Sequence, residues 1–515
     1  MKRRIFAALM GVVVIFGAAA CEAVPETEKM DKEQAETVPE KEFLTIEKTK
    51  NYDSYWSEEH SQVLASVTQP GVRLSKEDAK EYPQLAAALE EMNKEKQVQA
   101  DTEFEELCTM AKEDIEMVPE FFVEHEYTAD VTVRRADKEF LSLLYNGYYY
   151  LGGVHGMNMF WGENFDVKTG KKLALEDVLT DMDGLPQVVR EQLDRHWSDV
   201  EFYDTLDLEE FFAAEGYTPS WTLDYNGVTI YFNPYDIAPY AYGMQSVTLS
   251  FEEYPDLFKE EYTHTPLRYA AELSLGVPYF VELADRGIMD RVAVYSYPDE
   301  DEFYASRQIE VNDNQTNENI DAWDVAPMLL HTTEGKTFLY IQDSMQNAYY
   351  DLAVYDVSHG DIRKVDVYNC GYRTLPDEDA AYYPTIQVIT DPDDFMLDTH
   401  TEVLSTQTGH ALYSIGKDGR PVSETDWFVF DNNIDFTFRQ PIDAILIEED
   451  GTKIGEIKIE TGTKAEYFRT DGETYGDLYL PDGSIARVMV ERKDWMPYIN
   501  GIPAEDVLEG MIFAG

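Results

Sequence analysis

Aromatic and branched apolar residues crowd positions 141–151 and return at 158–167, and both runs suit the pleated geometry of strands. Gly152, Gly153 and Gly156 fall between them and bracket His155. Glycine beside a strand marks a bulge, a sharp turn or a close backbone approach. Both strands are apolar over much of their length, which predicts a central place in a sheet; the second ends in the turn Lys168-Thr169-Gly170-Lys171. Upstream, Leu85, Leu89 and Met92, then Phe104, Leu107, Cys108, Met110, Ala111 and Ile115 recur on one helical face. Pro83 suits a first helical turn, Ser75-Lys76-Glu77-Asp78 resembles a capping start, and Pro119 ends the run. Alternation over 120–135 predicts a strand that pairs with 138–151, so that 158–167 completes a meander. Phe43, Leu44 and Ile46 offer the first strand of all.

Short helices are expected at 173–179, 184–197 and 206–214. Residues 221–224 and 228–232 then flank Tyr225-Asn226-Gly227, a strong hairpin signal. A stiff aromatic loop follows at 233–243, with Pro234, Pro239, Tyr235, Tyr240 and Tyr242. Strand 245–251 and a short helix at 254–258 close the segment. Residues 43–262 therefore read as an α+β domain, an antiparallel sheet with helices. Beyond it the pattern is mostly β, with strands expected at 291–297, 308–311, 337–342, 352–357, 362–368, 385–390, 410–415 and 427–430. Residues 263–440 form a β-rich domain of no assignable type. Residues 336–368 look like a propeller-blade fragment, without enough copies to close a ring. Residues 441–515 read as a small, barrel-like β domain, with strands at 442–448 and 454–459 and turns at Asp471-Gly472 and Pro481-Asp482-Gly483.

A chain of 515 residues implies two or three domains. With 41 Lys and Arg against 101 Asp and Glu, the net charge is −60. Nucleic acid is excluded as a partner, because phosphate recognition needs a basic surface. The acidity serves solubility or a salty medium, or it attracts a cationic partner and speeds its arrival. Lys2, Arg3 and Arg4 precede an apolar run at 5–16 that is too short to span a bilayer comfortably. Gly17-Ala18-Ala19-Ala20 then leads into Cys21, as in the bacterial lipoprotein cleavage box, although Ala18 stands where that box usually has Leu. Residues 1–21 are expected to be a lipoprotein signal with Cys21 acylated, which places the chain on the outer face of the cell membrane. An ordinary secretory signal cut near Ala20 is the other reading. Residues 22–42 make an acidic disordered tether. Cys108 and Cys370 lie too far apart for a disulfide framework and read as buried thiols.

Catalytic chemistry is hard to find. His155 serves either turn geometry or binding, and no nucleophile or paired carboxylate lies near it in sequence. The loop tyrosines are either core cover or a recognition surface. Asp391-Pro392-Asp393 with Glu402 imitates a calcium loop, but Phe395 and Met396 occupy the ligand and glycine positions. No two of the nine histidines have metal-ligand spacing. Glu90-Glu91 and Glu105-Glu106 read as solvated helix faces. No metal, cofactor or catalytic residue is assigned.

Gly152-Gly153-Val154-His155-Gly156, Asn164-Phe165-Asp166-Val167-Lys168-Thr169-Gly170-Lys171, Leu175-Glu176-Asp177-Val178-Leu179, and the run from Tyr231 through Asn233-Pro234-Tyr235-Asp236 to Tyr240 and Gly243 occur in order. Together they resemble the extracellular domain shared by RsiV-type anti-sigma factors and PdaC-type peptidoglycan deacetylases. The resemblance covers residues 43–260 and implies an outward-facing envelope domain. In the anti-sigma member this domain binds lysozyme, a basic muramidase. The chain departs from both relatives: it has neither a cytoplasmic segment before a membrane helix nor the deacetylase's Asp and two His at short spacing. The expectation is a lipid-anchored envelope protein that binds rather than transforms its ligand, a lysozyme-like cationic protein or a cell-wall glycan. Gly153, His155, Gly156, Tyr235, Tyr240 and Tyr242 are the expected contact residues. The rival readings are a wall-acting hydrolase with its site in the C-terminal half, and a structural envelope scaffold.

Overall fold

In the computed structural model the described residues are 41–214, 217–283, 287–298, 304–345, 349–376, 383–493 and 496–513. The signal, Cys21 and nearly all of the tether lie outside them. Residues from Glu42 onward form one compact unit. Among the described residues no helix is long and apolar enough to cross a membrane.

The apolar stripe upstream becomes one 35-residue helix, Pro83–Met117, with proline in its first turn. Leu85, Leu89, Met92, Ala100, Leu107, Ala111 and Ile115 are its buried residues, at the spacing of a single face. Asn93 fastens the helix to the sheet below: its Oδ1 accepts from Val72 N at 3.1 Å and its Nδ2 donates to Val72 O at 2.8 Å. Ser75 caps the short preceding turn, accepting from Asp78 N at 3.2 Å. Met110, expected on the buried face, is exposed. Cys108 is half-buried and Cys370 buried, and both are free thiols. Burial pushes the Cys370 thiol up to about 12.

The helix covers a seven-stranded sheet ordered Thr374–Leu375, Thr385–Gln387, Ile46–Ser57, Gln62–Leu74, His125–Ala136, Phe140–Tyr150 and Met157–Asp166. Its pairs are antiparallel except one: Gln62–Leu74 runs parallel to His125–Ala136, and the long helix is the crossover between them. The two outermost strands on one side come from more than 300 residues downstream, where Glu47 faces Gln387 and Lys48 faces Ile386. Packing therefore does not stop at residue 262. One core holds Leu44, Leu85 and Val131 together with Ala270, Met328 and Phe395.

The hairpin signal at residues 225–227 is met by Ser220–Leu223 and Gly227–Phe232, which Gln245–Ser250 joins in a three-stranded antiparallel sheet. The helix Leu185–His196 buries Leu185, Val189 and Leu193 in the cluster that holds Val228, Ile230, Val247 and Leu249. Farther along, Tyr279–Glu282, Met289–Pro298, Ala305–Val311 and Asn314–Ile320 form a four-stranded meander. Thr337–Ser344, Tyr350–Asp356 and Arg363–Tyr368, the blade-like fragment, are consecutive strands of a five-stranded antiparallel sheet. The C-terminal strands Ile442–Ile447, Lys453–Ile459, Lys464–Thr470, Tyr475–Tyr479 and Ile485–Lys493 are continuous with Phe428–Phe438 and Gln407–Ile415 in one larger sheet. The chain is thus α+β in its first part and nearly all β thereafter.

His196, at the end of its helix, packs edge-on against Phe280 of the four-stranded meander, with ring centroids 4.8 Å apart. Burial, with Arg195 adding to it, pushes its pKa down to about 4. The unfolded chain takes up this proton near pH 6.5 and the fold resists it until about pH 4. Stability contributed by neutral His196 is therefore complete above pH 6.5 and drains away as pH falls through that window. Urea midpoints measured across it should fall steeply for the parent protein and less steeply for His196→Gln.

Candidate functional site

Register places the glycine-histidine segment. Tyr149 faces Met157 across one strand pair and Glu126 faces Tyr150 across the next. Residues 151–156 are thus the hairpin loop at one end of the sheet, beside the chain that enters His125–Ala136. Gly152 and Gly153 take φ of 80° and 98°, which side chains other than glycine rarely adopt. Gly156 is required for a different reason, since a Cβ there would run into the Tyr148 ring.

The tyrosine loop is built on a tight turn. Asp236 N donates to Asn233 O at 2.9 Å, with Pro234 and Tyr235 between them. Proline in the first central position and φ of 76° at Tyr235 in the second are the marks of a type II turn. Glycine normally fills that second position, so Tyr235 is strained and its ring is half-exposed. Asn233 also stitches the loop to the strand that follows the glycine turn. Its Oδ1 accepts from Phe160 N at 2.7 Å and its Nδ2 donates to Phe160 O at 3.3 Å.

The stitch brings the two expected segments into contact. His155 lies flat on Tyr240, with ring centroids 3.8 Å apart and planes 17° apart. Tyr235 tilts against Tyr240 from 5.6 Å. The Gly156 carbonyl accepts from Tyr240 Oη at 2.8 Å and from His155 Nδ1 at 2.9 Å. A carbonyl only accepts, so His155 Nδ1 carries the hydrogen, and in the neutral ring Nε2 remains an acceptor. Gly153 contributes its backbone conformation. Tyr242 contributes its carbonyl, which accepts from Gln245 Nε2 at 2.9 Å. Among the described residues the Tyr242 ring stacks on no other ring.

Three neighbours were not singled out by sequence. Tyr148 lies under Gly156, and burial together with the nearby Glu126 and Tyr240 pushes its hydroxyl up. Burial, then the adjacent Glu124, pushes the Glu126 carboxyl up, as two close carboxylates require. The available signal was strand alternation: Tyr148 and Tyr150 share one face, and Glu126 is register partner to Tyr150. The result is an aromatic stack beside a carboxylate pair, able to receive a cation or the face of a sugar.

Replacing Tyr235 by Gly and by Ala separates ring from strain. Both remove the ring, but only Gly relieves the left-handed backbone. Tyr235→Gly should be more stable to urea than Tyr235→Ala by about 1 kcal/mol.

A concavity of about 260 Å³ lies in the C-terminal half, with Arg373, Asp398, Gln407, Asp431 and Asn432 among its walls. Arg373 spans both acids, Nη1 to Asp398 Oδ1 at 3.0 Å and Nη2 to Asp431 Oδ1 at 2.5 Å. Asp398 Oδ2 also accepts from Thr374 N at 2.8 Å. The guanidinium occupies the carboxylates that acid–base chemistry would need, and among the described residues the lining includes no Ser, Cys or Lys, its hydroxyls being those of Thr374 and Thr408.

Residues 176–252 match DUF3298. That family model is described as a protein of unknown function, and the matched stretch carries Tyr235, Tyr240 and Tyr242 but not His155. Six solved chains match this one. A DUF3298 family member from Bacteroides fragilis is 19% identical over 43% of this chain and 95% of its own, with a TM-score of 0.33. A DUF3298 family protein from Pseudomonas aeruginosa is 16% identical over 43% of this chain and 98% of its own, with a TM-score of 0.30. None of the curated proteins matches.

Proposed function

We propose that this protein is an exported, lipid-anchored envelope protein that binds a basic protein of the lysozyme kind through the His155–Tyr240 cluster. The supporting observation is the convergence of two segments 84 residues apart on one carbonyl, Gly156 O, which builds a partly exposed aromatic platform. A net charge of −60 draws a cationic partner in, and Glu124 and Glu126 stand beside the platform to pair with its Lys or Arg. Rigid Tyr and His rings cost little side-chain entropy on binding and suit an interface centre. Export through the basic and apolar N-terminus, with acylation at Cys21, would hold this surface outside the cell.

Cell-wall glycan is the other ligand that an aromatic platform serves. Parallel titrations with lysozyme and with soluble peptidoglycan fragments distinguish the two. Heat with lysozyme alone supports the reading, and heat with glycan alone replaces it. The hydrolase reading draws on the cleft at Arg373, Asp398 and Asp431. Release of peptidoglycan fragments by the full chain, abolished in Asp431→Asn, would establish that reading instead.

A further inference from the structure

Four chain segments meet where the sheet ends. Ser57 pairs with Gln62 across a hairpin tip, and Ala65 faces His125 in the next pair. The long helix ends at Met117, and the chain returns through residues 118–124 into His125. Tyr150 and Met157 bound the glycine loop at this same end. Gly152 ties the last two segments together, since a Cβ on it would lie 3.3 Å from Val123 Cγ2.

This end exposes large apolar side chains to solvent. Val154 is 99% exposed, Phe121 82%, Met117 69% and Trp56 52%, with Val118 and Leu151 also exposed. Loop ends usually carry small polar residues, and large apolar side chains gathered at one place mark an interaction surface. The setting is acidic. Residues 113–126 contain Glu113, Asp114, Glu116, Glu120, Glu124 and Glu126 and no Lys or Arg, and the hairpin tip adds Glu58 and Glu59. Lys112, one residue before, is drawn back over the Tyr55 ring at 4.3 Å.

We infer that this sheet end is a protein-docking surface, with Phe121 and Val154 as its apolar centre and the surrounding carboxylates as a rim that selects a basic partner. The inference rests on the binding reading above and extends its contact area from the His155–Tyr240 platform across the glycine loop to the end of the long helix. An anionic lipid surface fits the apolar centre but is repelled by the rim and by the whole chain. A basic protein with an apolar ridge fits both, as interfaces with a dry centre and a charged rim do. Glu126 adds to this: burial, then the nearby Glu124, disfavours its charged form, and an incoming cation offsets that cost.

Phe121→Ser and Val154→Ser test the inference, made in the full chain with Cys21→Ser so that no acyl chain confounds a lipid measurement. Lysozyme is the basic probe, and phosphatidylcholine vesicles with and without phosphatidylglycerol are the lipid probe. Each substitution should weaken lysozyme binding by about tenfold or more, with the thermal midpoint unchanged because these side chains face solvent. Unchanged lysozyme affinity in both variants would overturn the docking surface while leaving the His155–Tyr240 reading standing. Vesicle binding that the substitutions abolish, with lysozyme binding intact, would overturn it in favour of a lipid surface. A parent chain that binds no lysozyme would instead end the binding reading itself.

Discussion

Asp224→Ala should lower the free energy of unfolding by about 3–5 kcal/mol. Asp224 and Arg134 are each almost wholly buried. The guanidinium meets the carboxylate at two points, Nε to Oδ1 at 3.1 Å and Nη2 to Oδ2 at 2.6 Å. Thr222 Oγ1 donates to Oδ1 at 2.8 Å and Thr229 Oγ1 to Oδ2 at 2.6 Å, so each carboxylate oxygen has two donors. Arg134 lies over the Tyr279 ring at 4.3 Å. One ion pair therefore joins the seven-stranded sheet, the 220–250 sheet and the four-stranded meander. Removing the carboxylate leaves a charged guanidinium buried without its counter-ion, and that uncompensated charge dominates the loss. Replacing both partners with apolar residues removes the orphaned charge, so Arg134→Met with Asp224→Leu should recover most of the stability. Urea unfolding followed by circular dichroism measures both. A loss below about 1 kcal/mol in the single variant would contradict the role given to the pair.

Tyr240→Ala should cost binding about 2 kcal/mol or more, roughly thirtyfold in affinity, with little effect on the fold. Tyr240 touches both His155 and Tyr235, and its hydroxyl holds the Gly156 carbonyl. Truncating it releases the histidine, the second tyrosine and the loop together. Tyr240→Phe keeps the stack and loses only the hydroxyl, so it should retain most of the affinity. If Phe and Ala were equally damaging, the hydrogen bond to Gly156 would matter more than the ring.

Local chemistry made much of the fold readable. Tyr225-Asn226-Gly227 turned where its residue types required, and the 158–167 run became Met157–Asp166. Strand Gln62–Leu74 was hidden because Pro70 and Gly71 interrupt its alternation, although both sit in register opposite Lys50 and Thr49. Long-range pairing was also unreadable. Nothing local to Thr385–Gln387 says that it adds to Ile46–Ser57, and no period in Pro83–Met117 says that this helix joins parallel strands. The site was legible as two separate segments, a glycine-bracketed histidine and a tyrosine loop. Their union depends on Asn233 reaching Phe160, a contact across 73 residues. Glu126 and Phe121 were invisible as site residues because acidic and apolar positions are common in this chain; strand register puts Glu126 opposite Tyr150, and the approach of Val123 to Gly152 brings the Phe121 segment to the loop.

The most direct test of the central claim is calorimetric titration of the full chain with lysozyme at about 50 mM and about 300 mM salt, with Tyr240→Ala run alongside. The account predicts saturable binding that weakens markedly at the higher salt and that Tyr240→Ala largely removes. Absence of binding at both salts, or salt-independent binding that Tyr240→Ala leaves intact, would contradict it.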